Sequence, residues 1–261
     1  MNVKIPASEL TGWIIEYIWP FIRIAAFIGV APIFGARNVP ARTKILITLS
    51  LTVMVAPLIT IKSTLDPFSL PGILAVIHEV IVGVSLGFIV TLIFSALIIA
   101  GQSIAQLMGL GFASMMDPQN GVAVPVVGQF YTVIATLLFL ALNGHLILID
   151  SLLRSFETMP IGQYDYLPQK LWSLVSWSKW MFASAIVIAL PAITALLLIN
   201  VAFGVMTRAA PQLNIFAVGF PITIIMGFVL MLITIPYFVP KMQEIINHAF
   251  YFLRHEFIGI N

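Results

Sequence analysis

Charged residues are scarce in this chain. Only 8% of its 261 residues are Asp, Glu, Lys or Arg, whereas 61% are hydrophobic. A soluble domain carries about 25% charged residues, so this chain cannot cover a surface that faces water. The scarcity of charge therefore predicts a protein that lies in a membrane or in a lipid-like protein interior.

Cysteine is absent, and basic residues form no cluster. Without cysteine there are neither disulfides nor thiolate metal sites. The formal net charge of +2 is too small to indicate a nucleic-acid partner. His78-Glu79 lacks a second histidine four residues after His78, where Val82 stands, so the zinc-protease helix is missing. We expect no metal, no cofactor and no enzymatic activity, since no acid, base and nucleophile set suits a membrane-embedded hydrolase.

Long apolar runs are the main feature of the chain. They are continuous rather than alternating, which is typical of helices and predicts an all-α, polytopic membrane protein of long, partly broken helical hairpins. A spanning helix needs about 20 apolar residues. Six candidate spans lie at roughly 12–34, 45–61, 73–100, 126–149, 181–206 and 215–239.

The first of these spans carries charges. Glu9 and Glu16, together with the lack of a small-residue cleavage site, argue against a secretory signal peptide, so we expect the segment to be retained as a helix. Glu16 and Arg23 are seven residues apart and share one helix face. That face is expected to look into protein rather than into lipid.

A glycine-rich, methionine-tipped segment follows the third span. Such an apolar loop is unstable against water or lipid, so we expect it inside protein or in a channel. Flexible Met and Phe side chains predict a deformable seal, but a simple buried re-entrant turn is equally open. The Asp-Pro step and the last glycine are turn signals. The residues of this segment that carry these signals are Gly109, Leu110, Gly111, Phe112, Ala113, Ser114, Met115, Met116, Asp117, Pro118 and Gly121.

Within the third span, Gly83 and Gly87 form a small-residue pair that predicts helix packing. Glu79 opens the same run and is expected to be a helix-start charge or an inter-helix contact rather than a proton relay. Asp117 and Asp150 bracket the fourth span, next to turn or polar sequence. A secondary transporter that couples through Glu79 or Asp150 stays an alternative.

One charge interrupts the last long apolar stretch. Arg208 is the only charged residue between Lys179 and Lys241. A lone guanidinium is costly in hydrocarbon, so it predicts a water-facing turn or a polar cavity inside an assembly. The candidate hinge and subunit-contact residues are Arg208, Pro211, Gln212, Asn214, Gly219 and Pro221.

The tail after Lys241 is predicted to be an amphipathic helix. Its apolar residues recur at helical spacing and form one stripe. We expect this helix to lie at the membrane surface or to dock on a partner. The stripe consists of Met242, Ile245, Ala249, Leu253 and Phe257.

The segment 208–221 strongly resembles the hallmark of the flagellar biosynthetic protein FliR family, the export-gate subunits of type III secretion. Residues 109–118 are similar to the family's glycine-rich loop that ends in Asp-Pro, and residues 32–35 and 39–42 match its opening helix and turn. Length and hydropathy agree over essentially the whole chain. The motif Val-Gly-Phe-Pro at 218–221 looks more flagellar than injectisome, although an injectisome subunit stays an alternative.

This resemblance implies a mechanism. Such subunits join P-type and Q-type partners in a helical assembly around a pore that passes unfolded flagellar proteins, with B-type and A-type export components as further partners. Residues 109–121, here called the gate loop, correspond to a lumenal plug. The resemblance also implies multi-pass placement in the bacterial inner membrane within the flagellar basal body, with the assembled core displaced toward the periplasm.

The resemblance also implies an internal organisation. The whole chain, 1–261, is expected to be one export-gate domain. About 1–180 resembles a P-type subunit, and about 181–261 resembles a Q-type hairpin followed by the C-terminal amphipathic helix.

Overall fold

A computed structural model describes residues 7–36, 39–59, 65, 67, 69–110, 126–210 and 215–259, with side chains of the first helix described from Glu16 onward and those of the last helix from Val218 onward. Every regular element in these ranges is helical, which confirms the predicted all-α class. The helices are α1 (Ala7–Val30), α2 (Ala41–Val55, extended by a 3-10 turn, Ala56–Leu58), α3 (Leu70–Leu107), α4 (Val126–Ala141), α5 (Gly144–Thr158), α6 (Leu167–Ala209) and α7 (Ile215–Tyr251, continued as π-helix by Phe252–Ile258).

Most of the predicted spans correspond to long apolar helices. In the described ranges, four stretches are long and apolar enough to cross a membrane: Ala41–Leu58, Leu70–Leu107, Leu167–Ala209 and Val218–Ile258. The pair α4 and α5 makes a fifth if it counts as one broken span. The predicted span 12–34 overlaps α1, whose early side chains lie outside the described part, so that span stays a prediction.

The predicted span 126–149 is interrupted at Leu142 and Asn143, so it spans a membrane only as a broken pair of helices bent by 66°. Asn143 has a left-handed backbone with φ of 57°. Asparagine tolerates this conformation better than most residues, and a left-handed residue ends a helix. The Asn143-Gly144 step is itself a turn signal that hydropathy alone overlooks.

The chain forms two compact units that are built from interleaved segments. The first takes its described residues from Met1–Leu92, Asn143–Trp177 and Ala249–Asn261, and the second from Ile93–Leu142 and Ser178–His248. Helices α3, α6 and α7 each contribute to both units. The expected division near residue 180 rests on likeness to partner subunits and stays a prediction.

In the first unit, α1 and α3 pack with their backbones close together. A methyl group at Gly83 would overlap the carbonyl oxygen of Arg23, and one at Gly87 would lie 2.9 Å from the amide nitrogen of Ala31. Thr91 extends this contact, since its hydroxyl donates to the carbonyl of Val30 at 3.1 Å. Glycine is therefore required where the two helices meet.

The C-terminal helix is amphipathic but not separate, because α7 runs without interruption through Lys241. Its apolar stripe is buried by this chain, so this face is not available to a membrane or a partner, and the expected docking stays a prediction for the opposite face. Phe252 stacks on Trp177 with ring centroids 4.6 Å apart. The buried residues are Met242, Ile245, Ala249, Leu253 and Phe257.

We predict that Gly83→Ala destabilises the protein by about 1–3 kcal/mol, because the added methyl group overpacks a backbone contact. Gly29→Ala is the matched control, since Gly29 is also helical and nothing lies within 4 Å of an added methyl group. It should be neutral or stabilising by up to about 1 kcal/mol. Thermal unfolding of the detergent-purified variants checks this, and equal midpoints would contradict the packing.

Candidate gate-loop anchor and buried ion pair

The structure describes only the beginning of the gate loop. Gly109 ends α3 with φ of +81°, the left-handed conformation that favours glycine at a helix C-terminus. Leu110 follows and is half-buried. The other predicted gating residues lie outside the described residues: Gly111, Phe112, Ala113, Ser114, Met115, Met116, Asp117, Pro118 and Gly121.

The last turn of α3 is bound by a side chain of α6. Asn200 Nδ2 donates to the carbonyl oxygen of Leu107 at 3.2 Å. The final carbonyls of a helix have no partner within the helix, so this amide satisfies one of them. In an apolar helix, asparagine is typically placed to make such a contact between helices.

Helix α7 contacts the same turn. The ring of Phe220 lies against Gly109, where an added methyl group would be 2.7 Å from Cε2. The buried side chain of Met108 lies over Gly227, where an added methyl group would be 2.6 Å from its sulfur. The Thr223 hydroxyl donates mainly to the carbonyl of Phe220 at 2.9 Å and is 3.4 Å from that of Met108.

The two helices that precede and follow the gate loop in the chain contact each other at Gly101 and Gly128. An added methyl group at Gly101 of α3 would lie 2.6 Å from the amide nitrogen of Gly128 of α4. The two backbones therefore touch. Residues 102–127 connect these two contact points in the chain. The residues predicted from the sequence do not include Gly101, Gly128 or Asn200, although a lone asparagine in an apolar helix is a usable signal.

The predicted hinge is only partly described. Arg208 is exposed in the last turn of α6, where a cation interacts favourably with the helix dipole. No ion pair involves Arg208 among the described residues. Gly219 is buried and Pro221 is exposed in the early turns of α7, whereas Pro211, Gln212 and Asn214 lie outside the described ranges.

A fully buried ion pair joins α1 to α3. Arg23 Nε donates to Glu79 Oε2 at 2.7 Å and Nη2 donates to Oε1 at 2.9 Å. Both side chains have 0% exposure. The other guanidinium donors go to the carbonyl and hydroxyl of Ser155 and to the carbonyl of Met159. Glu79 is thus the inter-helix contact that the sequence predicts.

Arg23 is buried as expected, but Glu16 is exposed, so the prediction of one inward-facing charged face is half wrong. Seven residues correspond to about 10 Å along a helix. Two residues on one face can therefore have different surroundings, as the fully buried Arg23 and the exposed Glu16 do.

His78 extends the buried network toward the surface. Its Nδ1 is 3.1 Å from Glu79 Oε1, and its Nε2 is 2.9 Å from the hydroxyl of Tyr166. Burial raises the pKa of the Tyr166 hydroxyl well above its ordinary value, so it keeps its proton. With its proton on Nδ1, His78 donates to Glu79 and accepts from the Tyr166 hydroxyl, which gives both ring nitrogens a partner.

Both described candidates for a coupling carboxylate are paired with arginine. Glu79 is neutralised by Arg23, and Asp150 is 3.1 Å from both Arg154 Nε and Arg254 Nη2. An ion-coupled transporter needs a carboxylate that can release its partner and bind the transported ion. This geometry does not favour the transporter alternative.

Comparison with known proteins identifies the family. A sequence profile of bacterial export proteins, family 1, matches residues 14–249. The chain belongs to this family. It is 37% identical over 242 residues to the flagellar biosynthetic protein FliR of Pectobacterium carotovorum subsp. carotovorum, covering 93% of this chain and 92% of the relative.

Further FliR proteins are similar over nearly their whole length. The FliR of Escherichia coli strain K12 is 34% identical over 248 residues, which is 95% of each chain. The FliR of Bacillus subtilis strain 168 is 34% identical over 220 residues, covering 83% of this chain and 85% of the relative. The predicted FliR resemblance is confirmed, and with the apolar helices it supports a membrane component of flagellar protein export.

We predict that Glu79→Gln destabilises the protein by about 3–5 kcal/mol, because it leaves Arg23 buried without its counter-charge. Glu244→Gln makes the same chemical change in an exposed pair with Lys241, and should cost less than about 1 kcal/mol. Thermal or denaturant unfolding in detergent measures both.

The double variant Arg23→Met with Glu79→Leu should recover most of the loss, since it removes both charges. A loss for the double variant as large as for Glu79→Gln would show that the contact, rather than the unpaired charge, controls stability.

Proposed function

We propose that this chain is a subunit of the flagellar type III export gate and that it forms, with P-type and Q-type subunits, the channel for unfolded flagellar proteins. Membership of the FliR family carries this proposal. The role is structural and non-catalytic. The B-type and A-type export components are further proposed partners, and the proposed place is the inner membrane within the flagellar basal body.

The exposed surface of α6 supports an assembly. Large apolar side chains are exposed along α6 from Trp172 to Met206. Lys179 is the only charged residue in this stretch. At 1.5 Å per residue this stretch is about 50 Å long, whereas the hydrocarbon core of a bilayer is about 30 Å thick. Tilting alone would require more than about 50°, beyond the usual 0–40° range. We propose that partner subunits cover the part of this apolar stretch that extends beyond the bilayer.

The resemblance to the family also implies that the assembled core is displaced toward the periplasm. An apolar surface longer than a bilayer is thick, as on α6, fits this proposed displacement. A helix enclosed by partner subunits has its backbone and apolar side chains covered whether or not lipid surrounds it. Arg208 and Gln212 are proposed to make polar contacts between subunits. The exposure of Arg208 at the end of α6 leaves its guanidinium accessible to such a contact.

The gate loop is the proposed plug of the closed channel. Phe112, Met115 and Met116 would seal the pore, because flexible thioether side chains and an aromatic ring fill irregular gaps. Gly109, together with Gly111 and Gly121, would let the loop move. The contact between Gly101 and Gly128 supports this proposal, since it holds together the two helices that precede and follow the loop.

We predict that deleting residues 110–116 makes cells with an assembled gate leak ions or small solutes, because the seal is removed. Met115→Leu with Met116→Leu is the matched control, since it keeps volume and apolarity and should stay sealed. Conductance or solute uptake in cells that are not exporting measures the leak. Unchanged permeability of the deletion, with the subunit still present in the complex, would reject the plug.

The assembly makes a second prediction. The chain should purify with P-type and Q-type subunits in one large complex, because its exposed apolar helices are costly without a cover. Gentle detergent extraction followed by size measurement and mass spectrometry checks this. A stable monomer that transports a small substrate in liposomes would instead support the secondary transporter.

A further inference from the structure

An open groove lies between α1 and α2 in the first unit. Its volume is about 360 Å³ and its lining is almost wholly apolar. The hydroxyl of Thr52 is not available to a ligand as a donor, because it donates to the carbonyl oxygen of Thr48 at 2.8 Å. The groove therefore suits a molecule, or part of one, without hydrogen-bonding groups. Its lining residues are Tyr17, Ile18, Phe21, Leu49, Thr52 and Val53.

An exposed stripe on α2 leads from this groove to the beginning of the helix. Arg42, Leu46, Leu49 and Val53 follow one another at intervals of four, three and four residues, which places them on one helix face. All four side chains are exposed. The stripe is apolar except for the guanidinium of Arg42 at its end.

Helix α1 leaves room beside this stripe. The two helices pack against each other and run antiparallel, since the groove brings Tyr17 of α1 to Val53 near the end of α2. After Phe21, α1 has the small residues Ala25 and Gly29 at helical spacing. Nothing lies within 4 Å of a methyl group added at Gly29. An elongated molecule can therefore follow the stripe without meeting a bulky side chain of α1.

The two ends of this path carry opposite charges. Arg42 forms no ion pair among the described residues, whereas the neighbouring Lys44 already donates to the carbonyl oxygen of Gly35 at 2.8 Å. At the other end, next to Tyr17, Glu16 is exposed. A ligand with one anionic end is attracted at Arg42 and repelled at Glu16, so the charges also set its direction.

The length of the path matches one leaflet of a membrane. The eleven residues from Arg42 to Val53 correspond to about 16 Å along a helix, and half of the hydrocarbon core of a bilayer is about 15 Å thick. The stretch Ala41–Leu58 is long and apolar enough to cross a membrane. An acyl chain whose headgroup lies at Arg42 would therefore end in the groove at Val53.

We propose that α1 and α2 bind one anionic phospholipid, with an acyl chain in the groove and the phosphate-bearing headgroup at Arg42. A protein loop is a poor occupant, because its backbone amides would find no partner against an apolar lining. A helix of a partner subunit satisfies its own backbone and is the competing occupant. The opposite charges at the two ends favour the lipid. This inference does not depend on the channel proposed above.

The first test measures the preference for an anionic headgroup. The full chain, purified in mild detergent with any subunits that accompany it, is offered dioleoyl phosphatidylglycerol or dioleoyl phosphatidylcholine, and native mass spectrometry counts the bound lipids. The anionic lipid should bind about fivefold more tightly, the usual effect of one basic residue at the headgroups. Equal binding of the two lipids would overturn the headgroup site.

Arg42→Gln should remove this preference, because it leaves no free cation at the end of the stripe. Lys179→Gln is the matched control, since it removes an exposed positive charge from α6 and should keep the fivefold preference. A preference that survives Arg42→Gln would equally overturn the headgroup site.

The second test fills the groove. Val53→Trp should lower the retention of both lipids several-fold, because the indole occupies the space of the acyl chain. Val205→Trp is the matched control, since Val53 and Val205 are 61% and 65% exposed and Val205 lies on α6, outside the groove. Equal retention by the two variants would overturn the groove as the binding site.

A photo-reactive benzoylphenylalanine at position 53 identifies the occupant in cells, and it decides the question if Val53→Trp does not fold. Adducts enriched in anionic phospholipid, relative to the same residue at position 205, support the lipid site. Lipid adducts without enrichment overturn it, and an adduct with another protein overturns it in favour of a partner helix. The export function is tested separately, by the deletion of residues 110–116 and by the composition of the purified complex.

Discussion

The ion pair between Arg23 and Glu79 is the constraint on which the first unit depends. Removing two charges from water is strongly unfavourable unless every donor and acceptor is satisfied. Here the guanidinium reaches α3 through Glu79 and the end of α5 through Ser155 and Met159. A shift of any of these segments along its axis would leave a buried charge unpaired. The observed arrangement of α1, α3 and α5 is therefore strongly favoured over shifted arrangements.

Close contacts at glycine residues hold the helices together on either side of the ion pair and further along the chain. Beside the ion pair, Gly83 and Gly87 let α1 and α3 approach until their backbones nearly touch. In the second unit, Gly101 and Gly128 do the same for α3 and α4, and Gly227 admits Met108. Helices without a strong hydrophobic drive to associate hold together by such close packing. The base of the gate loop is thereby built on rigid elements rather than on loops.

Polar groups are few, and their placement follows the proposed task. The buried charges of the described residues, Arg23 and Glu79, are paired with each other. The half-buried, uncharged amide at Asn200 instead holds the end of a helix. Polar chemistry in this chain therefore positions helices, and the proposed sealing is left to apolar side chains. This division suits the proposed channel subunit, which would pass a polypeptide without losing ions.

The sequence by itself determined the all-α membrane class, the approximate helices, the amphipathic tail and the family, because hydrophobic periodicity and local motifs are properties of neighbouring residues. Only the tertiary structure decided that Glu79 pairs with Arg23, that Glu16 is exposed while Arg23 is buried, and that Asn200 binds the end of α3. Those outcomes depend on distances between segments far apart in the chain, and no local pattern contains such distances.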